Sequence, residues 1–283
     1  MKNLKIIILI SGFSFLASSF SKISKSNFAT IITVVNTNDS GIGSLRDAIT
    51  QANANGVADI IDFNILGAGP HVITLISDLP IITESGTIID ATTQPNWALG
   101  NVAINAGNLI FGLRISATDC GIIGLHIGFS KFPIEIETGS DDFVIDRCLI
   151  NNIILSGIGI RGSSSDNGDI LDCQIGTNLG GTSASGGEPL NGIYIADCDN
   201  LTIQNNLISG FVHANGFGVG LWMKNCNSNI ISENFIGVDK NGTSVIQNNA
   251  GVVIENSSAG NQIFNNVISG NTDYGIIIID TGA

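Results

Sequence analysis

Residues 262 to 279 read QIFNNVISGNTDYGIIII, and the segment IFNNVI within them follows a pattern that recurs along the chain. Isoleucine begins and ends the pattern, and a small polar residue or a cysteine stands three positions after the first isoleucine. The other matches are IDRCLI (145–150), ILDCQI (170–175), IQNNLI (203–208) and ISENFI (231–236). The middle position is held by Cys148, Cys173, Asn206, Asn234 and Asn266. Such regularity indicates stacked structural repeats.

A second short pattern, in which apolar residues stand two apart and usually follow a glycine, alternates with the first. Its copies are PIEI (133–136), GIGI (157–160), GIYI (192–195), GVGL (218–221), GVVI (251–254) and GIII (275–278). Each is typical of a short strand. The combined unit recurs every 24 to 35 residues, with no helix-length segment between copies. We therefore predict an all-β fold, a single-stranded parallel β-helix with coils about 4.8 Å apart.

Stacking gives each position of the unit a place in the coil. The isoleucines of the first pattern fill the interior, and its middle position forms a ladder in which asparagine bonds to the neighbouring coil. In the second pattern we expect one inward row, formed by Ile136, Ile160, Ile195, Leu221, Ile254 and Ile278. On this alignment Tyr194 and Trp222 are diagonal neighbours on the outer surface.

The charge balance and the first residues bear on partners and location. The formal net charge is −13, and the 11 Lys and Arg residues are too few for binding to nucleic acid phosphates. Two lysines precede an apolar run at residues 6–17, and small residues follow it, as in a secretory signal peptide. We expect a signal peptide over residues 1–20, with cleavage between residues 19 and 29. The mature chain is then exported, and it contains no apolar run long enough for a transmembrane span.

A helical pattern precedes the repeats. Ser44 and Asp47 resemble a capping box. An apolar stripe at helical spacing follows, formed by Leu45, Ala48, Ile49 and Ala52. The spacing predicts a short N-terminal helix over residues 44–54 that caps the open end of the solenoid. On this reading residues 28–99 form the cap and the first strands, and residues 100–283 form the coils.

Several segments carry a family resemblance: NTNDSGIGSLRDAITQAN (36–53), DFNILGAGPHVITL (62–75), DLPIITESGTIIDATTQPNW (78–97), NFIGVDKNGT (234–243) and NVISGN (266–271). With them the chain resembles the large secreted bacterial β-helix proteins of the pectin-lyase-like superfamily. The resemblance implies a right-handed helix in a secreted or cell-surface bacterial protein. It does not select a function, because this fold carries polysaccharide lyases, hydrolases and adhesins alike.

The resemblance suggests where an enzyme of this fold would carry its chemistry. Such lyases combine Ca²⁺-binding carboxylates with a basic residue, and such hydrolases use convergent aspartates. The catalytic candidates are Asp141, Asp142, Asp146, Arg147, Asp169 and Asp172, with Asp166 and Arg161 close by. We expect Asp142 and Asp146 to lie near Asp169 or Asp172 of the next coil.

Other features of the sequence favour a structural role for these aspartates. The chain lacks the Gly-His-Gly and Arg-Ile-Lys motifs of the hydrolases, and Asp-Asp and Asp-Asn-Gly are common in turns. Cys148, Cys173, Cys198 and Cys226 are expected as stacked thiols, with disulfides between adjacent coils as the alternative. No histidine stands at metal-ligand spacing from them. We predict no cofactor, with Ca²⁺ as the one ion that the aspartates would hold.

The outer aromatic residues indicate a binding surface. Tyr194 and Trp222, flanked by Arg161 and Glu255, are predicted to stack against sugars, unless a loop at 177–191 or 210–217 covers them. The favoured function is a non-catalytic, adhesin-like or carbohydrate-contacting module at the cell surface, with a polysaccharide or cell-surface glycan as partner. The alternatives are a polysaccharide lyase or glycoside hydrolase acting on acidic polysaccharide, and the structural stalk of a larger surface protein.

The C-terminal coil is expected to be uncovered. Few residues follow Ile278, and an open last coil exposes an unpaired strand edge and an apolar row. We therefore expect either a fragment of a longer repeat protein or end-to-end association with another molecule.

Overall fold

The structure is a computed structural model that describes residues 30–161, 165–187, 189–256 and 258–279. The expected signal peptide and its cleavage region lie outside these residues. The helical elements described are α1 (Leu45–Asn55) and a 3-10 turn (Ala91–Thr93). The strands are β1 (Thr30–Val34), β2 (Asp59–Phe63), β3 (His71–Thr74), β4 (Ile88–Asp90), β5 (Val102–Ile115), β6 (Gly121–Ile123), β7 (His126–Ile136), β8 (Val144–Asp146), β9 (Leu149–Ile153), β10 (Ser156–Arg161), β11 (Asp169–Leu171), β12 (Gln174–Ile175), β13 (Asn191–Ala196), β14 (Thr202–Gln204), β15 (Leu207–Ile208), β16 (Val219–Lys224), β17 (Ile230–Ser232), β18 (Phe235–Ile236), β19 (Ala250–Glu255), β20 (Gln262–Phe264), β21 (Val267–Ile268) and β22 (Tyr274–Ile279).

The strands form three faces that run along the stack. Face 1 has the strand order β1-β2-β4-β6-β8-β11-β14-β17-β20. The long strand β7 links the other two faces, because its first part pairs with β9 and its last part pairs with β10. Face 2 continues from β9 to β12, β15, β18 and β21, and face 3 continues from β10 to β13, β16, β19 and β22. Neighbouring strands are parallel throughout, so the chain is a parallel β-helix, as the sequence predicts.

The interior is built from rows of aliphatic side chains, one from each coil. The row of face 1 is formed by Ile61, Ile89, Ile122, Ile145, Ile170, Ile203, Ile231 and Ile263. The row of face 2 is formed by Ile73, Ile104, Ile127, Ile150, Ile175, Ile208, Ile236 and Ile268. Burying one such side chain contributes about 1.5–3 kcal/mol, so these rows supply most of the driving force for stacking.

On face 3 the register of β16 differs from the sequence-based alignment. Met223, not Leu221, pairs with Ile195 and with Ile254, while Leu221 pairs with Ile193. The prediction aligned Gly218 with the leading glycines of the other coils. The residue in that row is Gly220, which packs against the backbone of Gly251 just as Gly192 packs against Gly220. The two-residue shift makes Tyr194 and Trp222 direct partners on neighbouring strands instead of diagonal ones.

Asparagine ladders lie at all three corners of the coil. Between faces 1 and 2, Asn206 donates to Asn234 at 3.0 Å, and Asn234 donates to Asn266 at 2.9 Å. Between faces 2 and 3, Asn248 donates to Asn271 at 3.0 Å. Between face 3 and the next face 1, Asn229 donates to Asn261 at 2.9 Å. The ladders satisfy backbone and amide groups that the turns would otherwise leave buried without partners.

Helix α1 covers the N-terminal end of the stack. Ser44 is its N-cap and accepts a hydrogen bond from the backbone N–H of Asp47. The side chain of Asp47 accepts from the backbone N–H of Gly43 at 3.0 Å, and the left-handed Gly56 ends the helix. The buried side of the helix consists of Leu45, Ala48, Ile49 and Ala52. This apolar stripe packs the helix against the first coil.

Two loops of similar sequence fold back over the outer side of face 2. The segments TNLGGTS (177–183) and VDKNGTS (238–244) are each closed by an antiparallel bridge. In each loop one oxygen, of Asn178 or Asp239, accepts from the backbone N–H four residues later. The loops stack on each other, because the N–H of Lys240 donates to the carbonyl of Gly181 at 3.0 Å. Outer residues of face 2 are therefore partly covered.

The last described coil is the most exposed part of the stack. Ile278 is 72% exposed and Ile276 is 46% exposed, although both belong to the inward rows of face 3. Val253, on the outer side of face 3, is buried in a small apolar cluster with Val219 and Ala250. End-to-end association through this coil stays a prediction.

Candidate functional site

The outer side of face 3 carries an aromatic pair on adjacent coils. Tyr194 and Trp222 are paired across β13 and β16. Their ring centroids are 5.9 Å apart and their planes meet at 79°, an edge-to-face contact. Both side chains are half-buried. The pair therefore presents a fixed aromatic surface to solvent.

A carboxylate on the next coil fixes the indole ring. The Nε1–H of Trp222 donates to Oε2 of Glu255 at 3.0 Å. The Nζ atom of Lys224 lies 3.7 Å from Oε1 of the same carboxylate. Lys224 was not identified from the sequence. The predicted register placed Trp222 beside Glu255, in the outward position that Lys224 occupies in the structure. With the correct register, the alternation of β16 identifies Lys224 as the neighbour of Glu255.

The surroundings of the aromatic pair are mixed. Trp222 packs against the apolar cluster formed by Val219, Ala250 and Val253, which Ile277 completes. The backbone of Arg161 pairs with that of Ala196 on the neighbouring strand. Residues 177–187 belong to the loop at 177–191, one of the two expected to cover the pair, and they lie on face 2, where Gly181 sits against Gln174 and Leu207. That loop leaves the aromatic pair uncovered.

Asp141 and Asp166 serve the backbone of the turns. Oδ1 of Asp141 accepts from the backbone N–H of Asp166 at 2.9 Å, and Oδ1 of Asp166 accepts from the N–H of Asp199 at 2.7 Å. Asp199 in turn accepts from the N–H of Asn227 at 2.6 Å. These carboxylates form a column at the corner that leads into face 1, each capping the coil that follows. The arrangement agrees with the turn role that the sequence favours.

The remaining acidic candidates divide between the two ends of the face 1 strands. Asp142 lies in the left-handed region and precedes β8, whereas Asp146 ends that strand. The two residues are four positions apart along the chain, so their Cα atoms are about 13 Å apart if the chain between them is extended. Asp169 pairs with Val144 near the first end, and Asp172 follows β11 at the second. The structure therefore brings Asp146, Arg147 and Asp172 together and leaves Asp141 and Asp142 apart from them.

Asp146 has the most perturbed environment of these candidates. It is 5% exposed, and Nε of Arg147 lies 2.9 Å from its Oδ2 atom. Burial raises the pKa of Asp146, Arg147 lowers it, and the nearby Asp172 and Asp90 raise it further, with a net increase. The guanidinium of Arg147 also lies 6.0 Å from the ring of Trp97, a contact that the sequence did not suggest. This group therefore pairs one buried acid, Asp146, with Arg147.

The cysteines and histidines do not form a chemical centre. All five cysteines lie in the described residues, are buried, and form no disulfide. Burial raises the pKa of Cys120 to about 11 and that of Cys198 to about 12, so both thiols are protonated at neutral pH. Within the described ranges, no group of three or more His, Cys, Asp or Glu side chains is placed to hold a metal ion. No helix of the described residues is long and apolar enough to cross a membrane.

The three-faced stack, its rows and its ladders define a right-handed parallel β-helix repeat protein. Residues 51–283 match the family described as the right handed beta helix region, and the chain belongs to that family. No curated protein matches the chain. The expected family resemblance and fold are thus confirmed.

The solved structures that match this chain include a tailspike protein and a virus protein. The Dettilon tailspike protein (gp208) aligns with a TM-score of 0.61 and 12% identity, over 88% of this chain and 46% of that chain. ORF18 of Geobacillus virus E2 aligns with a TM-score of 0.26 and 13% identity, over 88% of this chain and 60% of that chain. The chain spans about half the length of the tailspike chain. At such identity the tailspike likeness concerns the fold alone.

Proposed function

We propose that this chain is an exported, surface-exposed β-helix module that contacts glycans without cleaving them. The observation that carries the proposal is the Tyr194–Trp222 pair on the outer side of face 3, with ring centroids 5.9 Å apart. Sugar rings stack on aromatic side chains, and few polar groups are needed beside them to fix orientation. Glu255 and Lys224 supply such groups at the edge of the pair.

The rigidity of the pair supports a binding role. Trp222 is held by its bond to Glu255 and by the apolar cluster beside it, and it makes an edge-to-face contact with Tyr194. A side chain that is already ordered loses little conformational entropy when a ligand binds. The carboxylate column at Asp141, Asp166 and Asp199 supports the non-catalytic part of the proposal, because its oxygens already accept backbone hydrogen bonds.

The test is binding of the purified chain to a panel of soluble polysaccharides, neutral and anionic, by affinity electrophoresis and calorimetry. Among the polysaccharides that bind, the double variant Tyr194→Ala/Trp222→Ala is expected to weaken the binding of at least one by at least about tenfold, or about 1.4 kcal/mol. The matched control is Phe264→Ala, which removes an exposed aromatic side chain from face 1 and is expected to leave binding unchanged. Equal binding by the double variant and the parent on every polysaccharide that binds would refute the proposal. Export is tested by the N-terminus of the processed chain, expected between residues 19 and 29.

Asp146 favours a second candidate function, a polysaccharide lyase or glycoside hydrolase. A buried carboxyl with a raised pKa beside an arginine is a common form of catalytic acid. Incubation with the same panel, followed by assays for unsaturated and reducing ends, separates the two functions. Product that disappears in Asp146→Asn would establish the enzyme, whereas neither product nor binding on any polysaccharide would favour a structural stalk.

A further inference from the structure

Phe129 occupies a backbone conformation that suits a different residue. It lies where β7 turns from face 2 to face 3, with φ of 59°. The residues at the same corner on the flanking coils are Asn108, with φ of 68°, and Asn152, with φ of 48°. Asparagine tolerates this left-handed region, whereas an aromatic residue is strained there. A phenylalanine between two asparagines therefore destabilises the corner, and such strain points to a function for its ring.

The ring of Phe129 faces solvent at the meeting point of surface hollows. It is 44% exposed, and it lines one hollow of about 280 Å³ that extends to Val72 and His126. It also lines the adjacent hollow, which extends to Ile154 and His213. An exposed strained aromatic between two hollows is placed where a flat ligand ring would stack.

The hollows continue in both directions along the stack. The Val72 hollow shares Pro70, Gly100 and Leu179 with one that reaches Asn96. The His213 hollow shares Gly186 and Gly187 with one that reaches Val245. We call these four depressions the corner groove. From β3 to β18 it crosses six strand spacings of face 2, about 29 Å along the stack. It begins at the corner between faces 1 and 2 and ends at the corner between faces 2 and 3, so it suits a linear ligand that crosses face 2 obliquely.

The walls of the corner groove indicate the charge of that ligand. Although the chain has a net charge of −13, the described residues that line the four hollows include no Asp, Glu, Lys or Arg. The polar groups near Phe129 are Asn105, Asn152, His126 and His213. His126 is held by a 2.9 Å hydrogen bond between Nε2 and the side chain of Asn151. These donors and acceptors complement the hydroxyl groups of an uncharged sugar.

The strands beneath the groove argue against an extended peptide as the ligand. A bound peptide strand gains its affinity from main-chain bonds to an open sheet edge. Beside Phe129 both edges of β7 are already paired, with β5 on one side and β9 on the other. A chain of sugar rings needs no such edge, since stacking and hydroxyl contacts hold it.

We propose that the corner groove is a second binding site, which takes a neutral linear oligosaccharide with one sugar ring stacked on Phe129. The site lies on a different part of the coil from Tyr194 and Trp222, and the proposal stands independently of the function proposed above.

The test uses Phe129→Asn, which places the residue of the flanking coils at this corner. Calorimetry with maltohexaose, cellohexaose and xylohexaose as neutral probes, and hexagalacturonate as the charged probe, measures binding. We expect at least one neutral probe to bind the parent chain, and Phe129→Asn to weaken that binding at least tenfold while raising the melting temperature. Because the variant is expected to be more stable, lost binding cannot be attributed to unfolding.

The control is Phe217→Asn, since Phe217 is exposed but lines none of the four hollows. It is expected to bind like the parent, and Tyr194→Ala/Trp222→Ala is expected to retain this neutral binding. The proposal is overturned if no neutral probe binds, if hexagalacturonate alone binds, or if Phe129→Asn binds as tightly as the parent. Binding of an apolar heptapeptide that Phe129→Asn abolishes, together with no binding of any glycan, would also overturn it.

Discussion

Asn206 donates twice to the Oδ1 atom of Asn234, from its backbone N–H at 2.9 Å and from its side-chain amide at 3.0 Å. Asn234 repeats both bonds to Asn266 on the next coil. Each asparagine therefore accepts hydrogen bonds from the preceding turn through its amide oxygen. Its amide nitrogen donates to a backbone carbonyl of that turn, as Asn234 does to Ile203.

Replacement of Asn234 by alanine is expected to destabilise the stack by about 3 kcal/mol, because it leaves the donors of Asn206 and the carbonyl of Ile203 without their partner. Asn234→Asp keeps the acceptor but places a buried carboxylate against the acceptor oxygens of Ile203 and Asn266, so it is expected to cost at least as much. Urea unfolding followed by far-UV circular dichroism measures both. Equal stability of the alanine variant and the parent would show that water replaces the ladder without cost.

Asp166 provides a direct test of the turn role of the aspartates. Its Oδ1 atom accepts from the N–H of Asp199 at 2.7 Å, and an asparagine at this position keeps that oxygen. We therefore expect Asp166→Asn to match the parent in stability, and Asp166→Ala to lose about 1–2 kcal/mol. Thermal unfolding of the two variants compares them. A polysaccharide-cleaving activity that Asp166→Asn abolishes would contradict the structural role.

His126 is expected to make stability depend on pH. Burial lowers its pKa below the ordinary value of 6.5, and the bond to Asn151 offsets this only in part. Because the unfolded chain binds the proton more readily, stability is complete above about pH 6.5 and falls as the pH decreases toward the lowered pKa. Urea unfolding midpoints of the parent and of His126→Gln between pH 8 and pH 5 test this. We expect the midpoint of the variant to change less over that range, and parallel curves would exclude His126 as the cause.

The buried cysteines are expected to resist alkylation. Burial raises the pKa of Cys120 to about 11 and that of Cys198 to about 12, and it also raises the pKa of Cys173 and Cys226. Thiolate is therefore scarce at pH 8, and the protein matrix blocks access. Iodoacetamide labelling followed by mass spectrometry should show no modification of the native chain and modification of all five cysteines in urea. Rapid labelling of native Cys120 would show that the first coils open readily.

The sequence predicts the interior better than the surface, for a physical reason. Isoleucine at a fixed spacing can only face inward, because each coil must bury one such residue on each face. The ladder at Asn206, Asn234 and Asn266 follows from the same spacing. The ladders at the other two corners were missed. Asn229 and Asn261 both stand two residues before an isoleucine of face 1, but only the last two coils carry asparagine at that position. Asn248 and Asn271 stand at different distances from the isoleucines of face 2.

The register of β16 was predicted wrongly because two glycines fit the same position of the repeat. Gly218 and Gly220 both precede an apolar residue, and only the packing of Gly220 against the backbone of Gly251 distinguishes them. The left-handed backbone at Phe129 could not be predicted, because phenylalanine is not a residue type that indicates this conformation. The contact between Trp97 and Arg147 joins residues that are distant in the sequence, so no local pattern indicates it.

The corners of the coil differ in how freely their length varies. Two residues join faces 1 and 2 in each of the last five coils, whereas the connection between faces 2 and 3 ranges from residues 154–155 to residues 176–190. Insertions at this second corner leave every inward row in register. The corner between faces 2 and 3 therefore tolerates insertions. Foreign loops of chosen length could be grafted there at intervals of about 4.8 Å along the stack, which would make the β-helix a scaffold for displaying peptides.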